Sequence, residues 1–151
     1  MNIFFLNYHG VANNDTSTSL HRFIHGHKPK FLGIAEPKKC NPLGETSLEN
    51  KGYTLIGFNS TSANFDTLWV LAQNSITDVS VCNFDLQMIT SKAEIYNDHF
   101  FCSFVYAENN YQEIRFLWRN IELNSHGIPD PWIILGEFND ILCPSERMRV
   151  V

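Results

Sequence analysis

The chain has 151 residues, of which 44% are hydrophobic and 18% are charged, and its formal net charge at pH 7 is −5. This length suits one domain, and the composition excludes a disordered polyelectrolyte and favours a globular protein with a real core. The acidic balance argues against a dedicated nucleic-acid binder, which usually carries a basic excess. A local basic patch remains open, because segment 21–40 holds five cations and one anion, although a solvated surface is its simplest interpretation.

The cysteine pattern and the N-terminal sequence give information about the cellular compartment of the protein. The four cysteines lie far apart without a C-x-x-C pair, which argues against a zinc ribbon. The start, MNIFFLNYHG, shows neither a cationic leader nor a small-residue cleavage site, and no apolar run approaches the ~20 residues that span a bilayer. We therefore expect an intracellular protein, nuclear or cytoplasmic and not secreted, with free thiols, no membrane contact and no stable protein partner.

The first third of the chain predicts two strands and a helix. NIFFLNY predicts a short buried strand that ends near Asn7. NNDTST is rich in N-cap residues and predicts a turn, after which the apolar residues from Leu20 to His27 fall at helical spacing, and Gly26 with Pro29 predicts the helix end. KFLGIAE predicts a second buried strand, and NPLGETSLENKG predicts a loop with at most one helical turn.

The rest of the chain predicts a run of strands, one helix and a last strand. YTLIGF, DTLWVLA and SITDVSV predict short strands, and LQMITSKAEI with HFFCSFVYA predicts a hairpin joined through YND. Asn110 and Glu113 resemble a capping box ahead of an apolar stripe from Ile114 to Ile121, and Gly127 closes that helix. WIILGEF predicts the last strand, and the tail NDILCPSERMRVV shows no clear periodicity.

This order of elements predicts an α+β fold with two stacked β-sheets flanked by helices. Many strands with few helices favour packed sheets covered by outer helices. Segments such as FFL and WIIL are too apolar for simple alternation, which indicates cover on both faces. Trp69, Trp118 and Trp132 are predicted to lie in the core, since stacking on bases would require exposure.

Polar side chains end several of the apolar strands. Asn7 ends NIFFLN, Glu36 ends FLGIAE, Tyr106 lies near the end of FFCSFVYAENN, and Glu137 and Asn139 end WIILGEFN. If these ends meet at one rim, Asn7 and Glu36 supply the minimal oxygen set for a divalent cation such as Mg²⁺, completed by water or phosphate. The alternative is that all five are ordinary strand-end and turn residues.

Two histidines on the first predicted helix suggest a second metal site. His21 and His25 are spaced i and i+4, as in a metalloprotease helix, but Arg22 stands where that motif needs glutamate. We therefore expect both histidines on the outer face of the helix rather than at a metal.

Four segments resemble the endonuclease/exonuclease/phosphatase superfamily: FFLNYHG, KFLGIAEPK, FVYAENNYQEIRFLW and PWIILGEFNDILCPSER. More closely, they resemble the N-terminal endonuclease domain of plant LINE-type (non-LTR) retrotransposon polyproteins. Each motif is short, but the four occur in the family order from Asn2 to Arg147, so that residues 1–151 resemble a partial domain of this kind. The resemblance implies a four-layer αββα sandwich that is incomplete at its C-terminal end.

The resemblance also implies an activity, a cofactor and roles for single residues. The implied activity is Mg²⁺-dependent hydrolysis of DNA phosphodiester bonds, with Mn²⁺ as the alternative ion and DNA as a weakly bound partner. Glu36 binds the metal, and Asn7 helps to position the metal and the phosphate. Tyr106 contacts the phosphate, Asn139 holds a phosphate oxygen, and Glu137, where the family has aspartate, orients or activates the attacking water.

Several positions depart from the family pattern. Glu137 replaces the aspartate, His9 replaces an arginine and Leu6 an aromatic residue, and the later strands that carry an aspartate and an aspartate–histidine pair are not matched. These departures favour a catalytically inactive, truncated retrotransposon remnant for the isolated chain; a phosphoesterase of another branch of the superfamily is the other alternative. We also expect marginal stability or aggregation, because missing strands would leave a sheet edge unpaired.

Overall fold

The computed structural model of the protein describes residues 2–8, 14–38, 46–60, 65–76, 78–95 and 97–140. His9, Lys39, Cys40, Cys143 and the S-E-R tail, which the sequence singled out, lie outside these ranges. Within them, no helix is long and apolar enough to cross a membrane. The elements in the described ranges are β1 (Ile3–Asn7), α1 (Asn14–His27), β2 (Phe31–Ala35), α2 (Thr46–Glu49), β3 (Tyr53–Ser60), β4 (Asp66–Gln73), β5 (Asp78–Phe84), β6 (Met88–Ile95), β7 (Asp98–Tyr106), α3 (Tyr111–Ser125) and β8 (Trp132–Glu137).

The strands form two four-stranded sheets of mixed direction. The first sheet has the order β1-β2-β4-β3, and the second has the order β5-β6-β7-β8. In the first sheet β1 and β2 are parallel, and the other pairs are antiparallel. In the second sheet β7 and β8 are parallel, and the other pairs are antiparallel. Each sheet therefore has one parallel pair at one of its edges.

Three apolar clusters define four layers. The central cluster lies between the sheets and includes Phe31, Val70, Ile89 and Phe104. A second cluster joins α1 to the outer face of the first sheet, and a third joins α3 to the outer face of the second. The predicted αββα sandwich is confirmed.

Strand β2 shows why its sequence is apolar throughout. All five residues are buried, because Phe31 faces the central cluster while Leu32 and Ile34 face the cluster under α1. Gly33 is required by packing, since a Cβ atom there would lie 2.2 Å from the Phe104 ring. Because both faces of β2 are covered, apolar and polar residues do not alternate along this strand.

The start of α1 differs from its prediction. The segment predicted as a turn contains the first helical residues, because α1 begins at Asn14. Asp15 lies in the first turn, where its charge complements the helix dipole. Gly26 lies inside the helix, and the chain leaves it at Lys28, whose φ of 44° is left-handed and whose N–H donates to Ile24 O at 2.9 Å.

The three tryptophans differ in burial, so the prediction that all are core residues was wrong for one. Trp69 is fully buried, and its Nε1 donates to Asp66 Oδ2 at 2.7 Å. Trp132 is half-buried, and its Nε1 donates to Ser103 Oγ at 2.8 Å. Trp118 is 44% exposed, because it lies at the edge of the stripe by which α3 packs on its sheet.

Candidate active site at the strand ends

The topology brings the ends of four strands to one rim of the sandwich. In the first sheet the parallel register pairs Asn7 of β1 with Ala35 of β2. In the second sheet it pairs Tyr106 of β7 with Glu137 of β8. Parallel neighbours end at the same edge of their sheet, and β1 and β8 approach each other across the sandwich. The polar residues that follow these strands therefore meet.

The two-residue period of the strands turns three of these side chains inward. Asn7 lies on the face of β1 that carries Phe5 to the central cluster, and Glu137 lies on the face of β8 that carries Leu135 there. Tyr106 itself packs against that cluster. All three therefore continue apolar rows that face the space between the sheets.

Four of the five predicted residues form one hydrogen-bonded network. Asn7 Nδ2 donates to Glu137 Oε2 at 2.6 Å and, more weakly, to Glu36 Oε1 at 3.5 Å. Tyr106 Oη donates to the same Glu36 Oε1 at 2.6 Å. The network thus joins residues from both sheets, separated by up to 130 positions in sequence.

Glu36 reaches the network through an unusual backbone conformation. Its φ is 48°, although it precedes Pro37, a position that normally holds an extended residue. The conformation is fixed by a bond from the Glu36 N–H to Thr67 O at 2.9 Å. Left-handed backbone costs a non-glycine residue about 1 kcal/mol, and such strain concentrates at functional sites.

The electrostatics of the rim are dominated by carboxylates. Glu36 and Glu137 both accept from the single Asn7 amide nitrogen, and Lys38 Nζ lies 3.4 Å from Glu36 Oε2. Burial raises the pKa of the Tyr106 phenol well above its ordinary value. The hydrogen bond to Glu36 and the charges of Glu36, Glu137 and Glu108 raise that pKa further. Tyr106 is therefore a neutral hydrogen-bond donor.

The donor set fits a hard divalent cation. Within the described ranges no three His, Cys, Asp or Glu residues gather in a metal cluster. Glu36 and the Asn7 amide oxygen are hard ligands, and Mg²⁺ often takes only one or two carboxylates. The Lys38 side chain beside Glu36 is 57% exposed, so its ammonium can swing into solvent when a cation binds.

Asn139 lies beside the network, and its amide is engaged elsewhere. Its Nδ2 donates to Ala107 O at 2.5 Å, and its φ is 49°. The adjoining backbone is tied to β7, because the Ala107 N–H donates to Glu137 O at 2.8 Å. Gly136 allows this close approach, since a Cβ atom there would lie 2.1 Å from Val105 O.

A cavity of about 370 Å³ opens beside Glu36 and Tyr106. Its rim includes Phe65, which is 54% exposed. The other lining residues are Lys38, Asp66 and Thr67. The carboxylate and phenol of the network are therefore accessible to a small ligand from this side.

Sequence reasoning missed two sets of residues around the site. Lys38 was grouped with the basic segment, although its position two residues after Glu36 was a usable signal. Trp118 was assigned to the core, yet it stacks on Phe138 with ring centroids 5.3 Å apart and donates from Nε1 to Asp140 Oδ2 at 3.0 Å. No spacing in the sequence indicates that contact.

Comparisons with known proteins identify the fold. The sequence matches no protein-family model and no curated protein. Solved structures do match, among them an AP endonuclease from Archaeoglobus fulgidus, with a TM-score of 0.70, 16% identity and coverage of 95% of this chain and 60% of that one. The endonuclease domain of TRAS1, a telomere-specific non-LTR retrotransposon, has a TM-score of 0.68, 11% identity and coverage of 91% and 58%. The 3′ phosphatase NExo from Neisseria, bound to product DNA hairpin, has a TM-score of 0.66, 15% identity and coverage of 92% and 58%.

These structures belong to the endonuclease/exonuclease/phosphatase superfamily, so the chain has the fold of that superfamily. The chain spans less than two thirds of the length of each of them.

Proposed function

We propose that this chain is a divalent-metal-dependent phosphodiesterase that hydrolyses DNA, of the type found in LINE retrotransposon endonuclease domains. The network of Asn7, Glu36, Tyr106 and Glu137 at the common rim of both sheets carries the proposal. Two proteins of the same fold support it: TRAS1 provides a retrotransposon endonuclease domain, and NExo is bound to product DNA.

Glu36 and the Asn7 amide oxygen would hold the cation, with Mg²⁺ favoured and Mn²⁺ as the alternative. When bound, the ion supplies positive charge to the phosphoryl oxygens and the leaving group. Glu36 and Glu137 both accept from the Asn7 amide nitrogen, and their like charges would be partly neutralised by a cation held there. Lys38 Nζ, 3.4 Å from Glu36 Oε2, supplies positive charge to Glu36.

The chain's own side chains then serve the hydrolysis. Glu137 accepts a proton from a water molecule as its oxygen attacks phosphorus, and the bond from phosphorus to the leaving oxygen breaks. Tyr106, kept neutral by its raised pKa, would turn its single O–H from Glu36 to the phosphate and donate to the charge that develops there. Asn139 uses one amide hydrogen on Ala107 O, and its second is the donor proposed for a phosphate oxygen.

A second proposal is that the chain keeps the fold and the network without activity. Glu137 favours it, since its longer side chain brings Oε2 within 2.6 Å of Asn7 Nδ2, a hydrogen bond that competes with an attacking water for this oxygen. A misplacement near 1 Å costs about 10²-fold in rate. Activity is therefore expected to be weak at best.

Nicking of supercoiled plasmid separates these proposals. The wild type should nick in Mg²⁺ and stop in EDTA, and Glu36→Ala should lower the rate by about 10²-fold or more. Glu94→Ala is the matched control, because Glu94 lies on β6 beside His99 and outside the network. A nicking rate that is unchanged in the Glu36→Ala variant or in the presence of EDTA would overturn the proposal. Hydrolysis of phosphoinositide or sphingomyelin in preference to DNA would assign the site to another branch of the superfamily.

A further inference from the structure

Trp118 belongs to the apolar stripe of α3, which predicts burial, but its side chain is partly exposed. Its indole is 44% exposed and stacks on Phe138 with an interplanar angle of 13°. Its Nε1 donates to Asp140 Oδ2 at 3.0 Å. The residues that it contacts therefore flank Asn139 on both sides, directly after Glu137.

The segment that Trp118 contacts is irregular. Strand β8 and its register with β7 end at Glu137, and residues 138–140 follow without regular secondary structure. The φ of Asn139 is 49°, in the left-handed region that asparagine enters more readily than most non-glycine residues. Any change in this conformation alters the direction of the Asn139 amide.

Two neighbouring parts of the chain contact this turn. The end of β7 holds it through Ala107, whose N–H donates to Glu137 O at 2.8 Å and whose carbonyl accepts from Asn139 Nδ2. Helix α3 holds it through Trp118, which contacts the residue before Asn139 and the residue after it. Both sides of the turn are therefore anchored.

We infer that Trp118 is a positioning residue for Glu137 and Asn139, an inference that rests on the proposed function. The stack with Phe138 sets the end of β8 and hence the Glu137 carboxylate, which lies 2.6 Å from Asn7 Nδ2. The bond to Asp140 sets the far side of the turn and hence the Asn139 amide. A catalytic group displaced by about 1 Å loses about 10²-fold in rate.

Three variants separate the two contacts of Trp118 from a general packing role. Trp118→Leu removes both the stack and the N–H donor, whereas Trp118→Phe keeps an aromatic ring and loses the donor. Phe116→Leu is the matched control, because Phe116 lies on the same helix and is 57% exposed, while the ring stacked on Phe138 is that of Trp118.

The first readout is plasmid nicking in Mg²⁺ at a temperature where every variant is folded. Trp118→Leu should lower kcat by about 10²-fold with KM changed less than about threefold, and Trp118→Phe should recover most of the loss. Phe116→Leu should match the wild type. An unchanged kcat in Trp118→Leu, or a loss carried by KM alone, would overturn the inference.

The second readout does not depend on activity. In ¹H–¹⁵N spectra the Asn139 side-chain amide should be protected from exchange in the wild type and lose about tenfold or more of that protection in Trp118→Leu. Equal protection in both proteins would overturn the inference even if nicking falls. A wild type that does not nick would refute the proposed function, and this comparison would then decide the positioning role by itself.

Discussion

Shortening Glu137 to aspartate tests the clearest departure from the family pattern. In the structure Glu137 Oε2 accepts from Asn7 Nδ2 at 2.6 Å. Removing one methylene withdraws the carboxylate by about 1.3 Å. With the backbone fixed, the separation becomes about 3.9 Å, which is beyond hydrogen-bond range. Glu137→Asp should therefore release the carboxylate from Asn7.

Two results should follow. The free energy of unfolding should fall by about 1 kcal/mol, because a hydrogen bond to a charged group contributes about 1.5–3 kcal/mol and partial exposure of this pair weakens it. For a chain of this size that corresponds to a loss of about 2–4 °C in Tm. The rate of Mg²⁺-dependent nicking should rise by about 10-fold to 10²-fold, because the carboxylate becomes free to orient water.

The assay compares urea unfolding and plasmid nicking for the wild type, Glu137→Asp and Glu94→Asp. Glu94→Asp makes the same chemical change on β6, away from the rim, and should alter neither quantity. A Glu137→Asp protein that is as stable as the wild type and nicks no faster would refute the reasoning. It would show that the bond to Asn7 neither stabilises the rim nor restrains the carboxylate.

Three further predictions concern the phenol, the buried thiol and the close backbone approach. The folded-state pKa of Tyr106 lies above its ordinary 10.0, so the stability contributed by its neutral form is complete below that pH and is lost as pH rises through the folded pKa. The difference in urea stability between wild type and Tyr106→Phe should thus be constant near neutral pH and shrink above about pH 10. Burial raises the pKa of Cys102 to about 12. Brief iodoacetamide treatment at pH 8 should therefore label the exposed Cys82 and spare Cys102 until urea is added. Equal labelling of both thiols, measured by peptide mass spectrometry, would contradict this prediction. Gly136→Ala should destabilise the fold by about 3 kcal/mol or more, because the added Cβ atom would clash with the backbone of β7. Gly26→Ala should stabilise the fold by about 0.5–1 kcal/mol, because the added Cβ atom on α1 would meet open space. Thermal melts that rank the two variants the other way would refute the packing argument.

The sequence predicted the strands from local patterns, whereas the meeting of the strand ends was left open by spacing and was implied by the resemblance to the family. Apolar runs and two-residue periodicity locate β1, β2, β7 and β8. A polar residue that follows every second apolar residue of a strand points to the same face of the sheet as those residues. This direction applies to Asn7, Tyr106 and Glu137, whereas Glu36 was selected through the resemblance of its motif to the family. Their catalytic and metal-binding roles stay predictions.

The features that the sequence did not predict depend on contacts between distant segments. Trp118 was misplaced because its partner, Phe138, comes from the irregular turn after β8, and helical spacing contains no information about that turn. The left-handed backbone of Glu36 is imposed by Thr67 on β4, and nothing around Glu36 in the sequence indicates it. The expectation of marginal stability also stays a prediction, and a single sharp urea transition of a monomeric chain would contradict it.

The central claim is that a cation binds at the rim where four strand ends meet, and its most direct test is Mn²⁺-induced broadening of backbone amide signals in ¹H–¹⁵N spectra. Substoichiometric Mn²⁺ should broaden the signals of Asn7, Glu36, Tyr106 and Glu137 first, Mg²⁺ should compete, and Glu36→Ala should abolish the effect. Broadening that starts at the α1 histidines, or that persists unchanged in Glu36→Ala, would contradict the account.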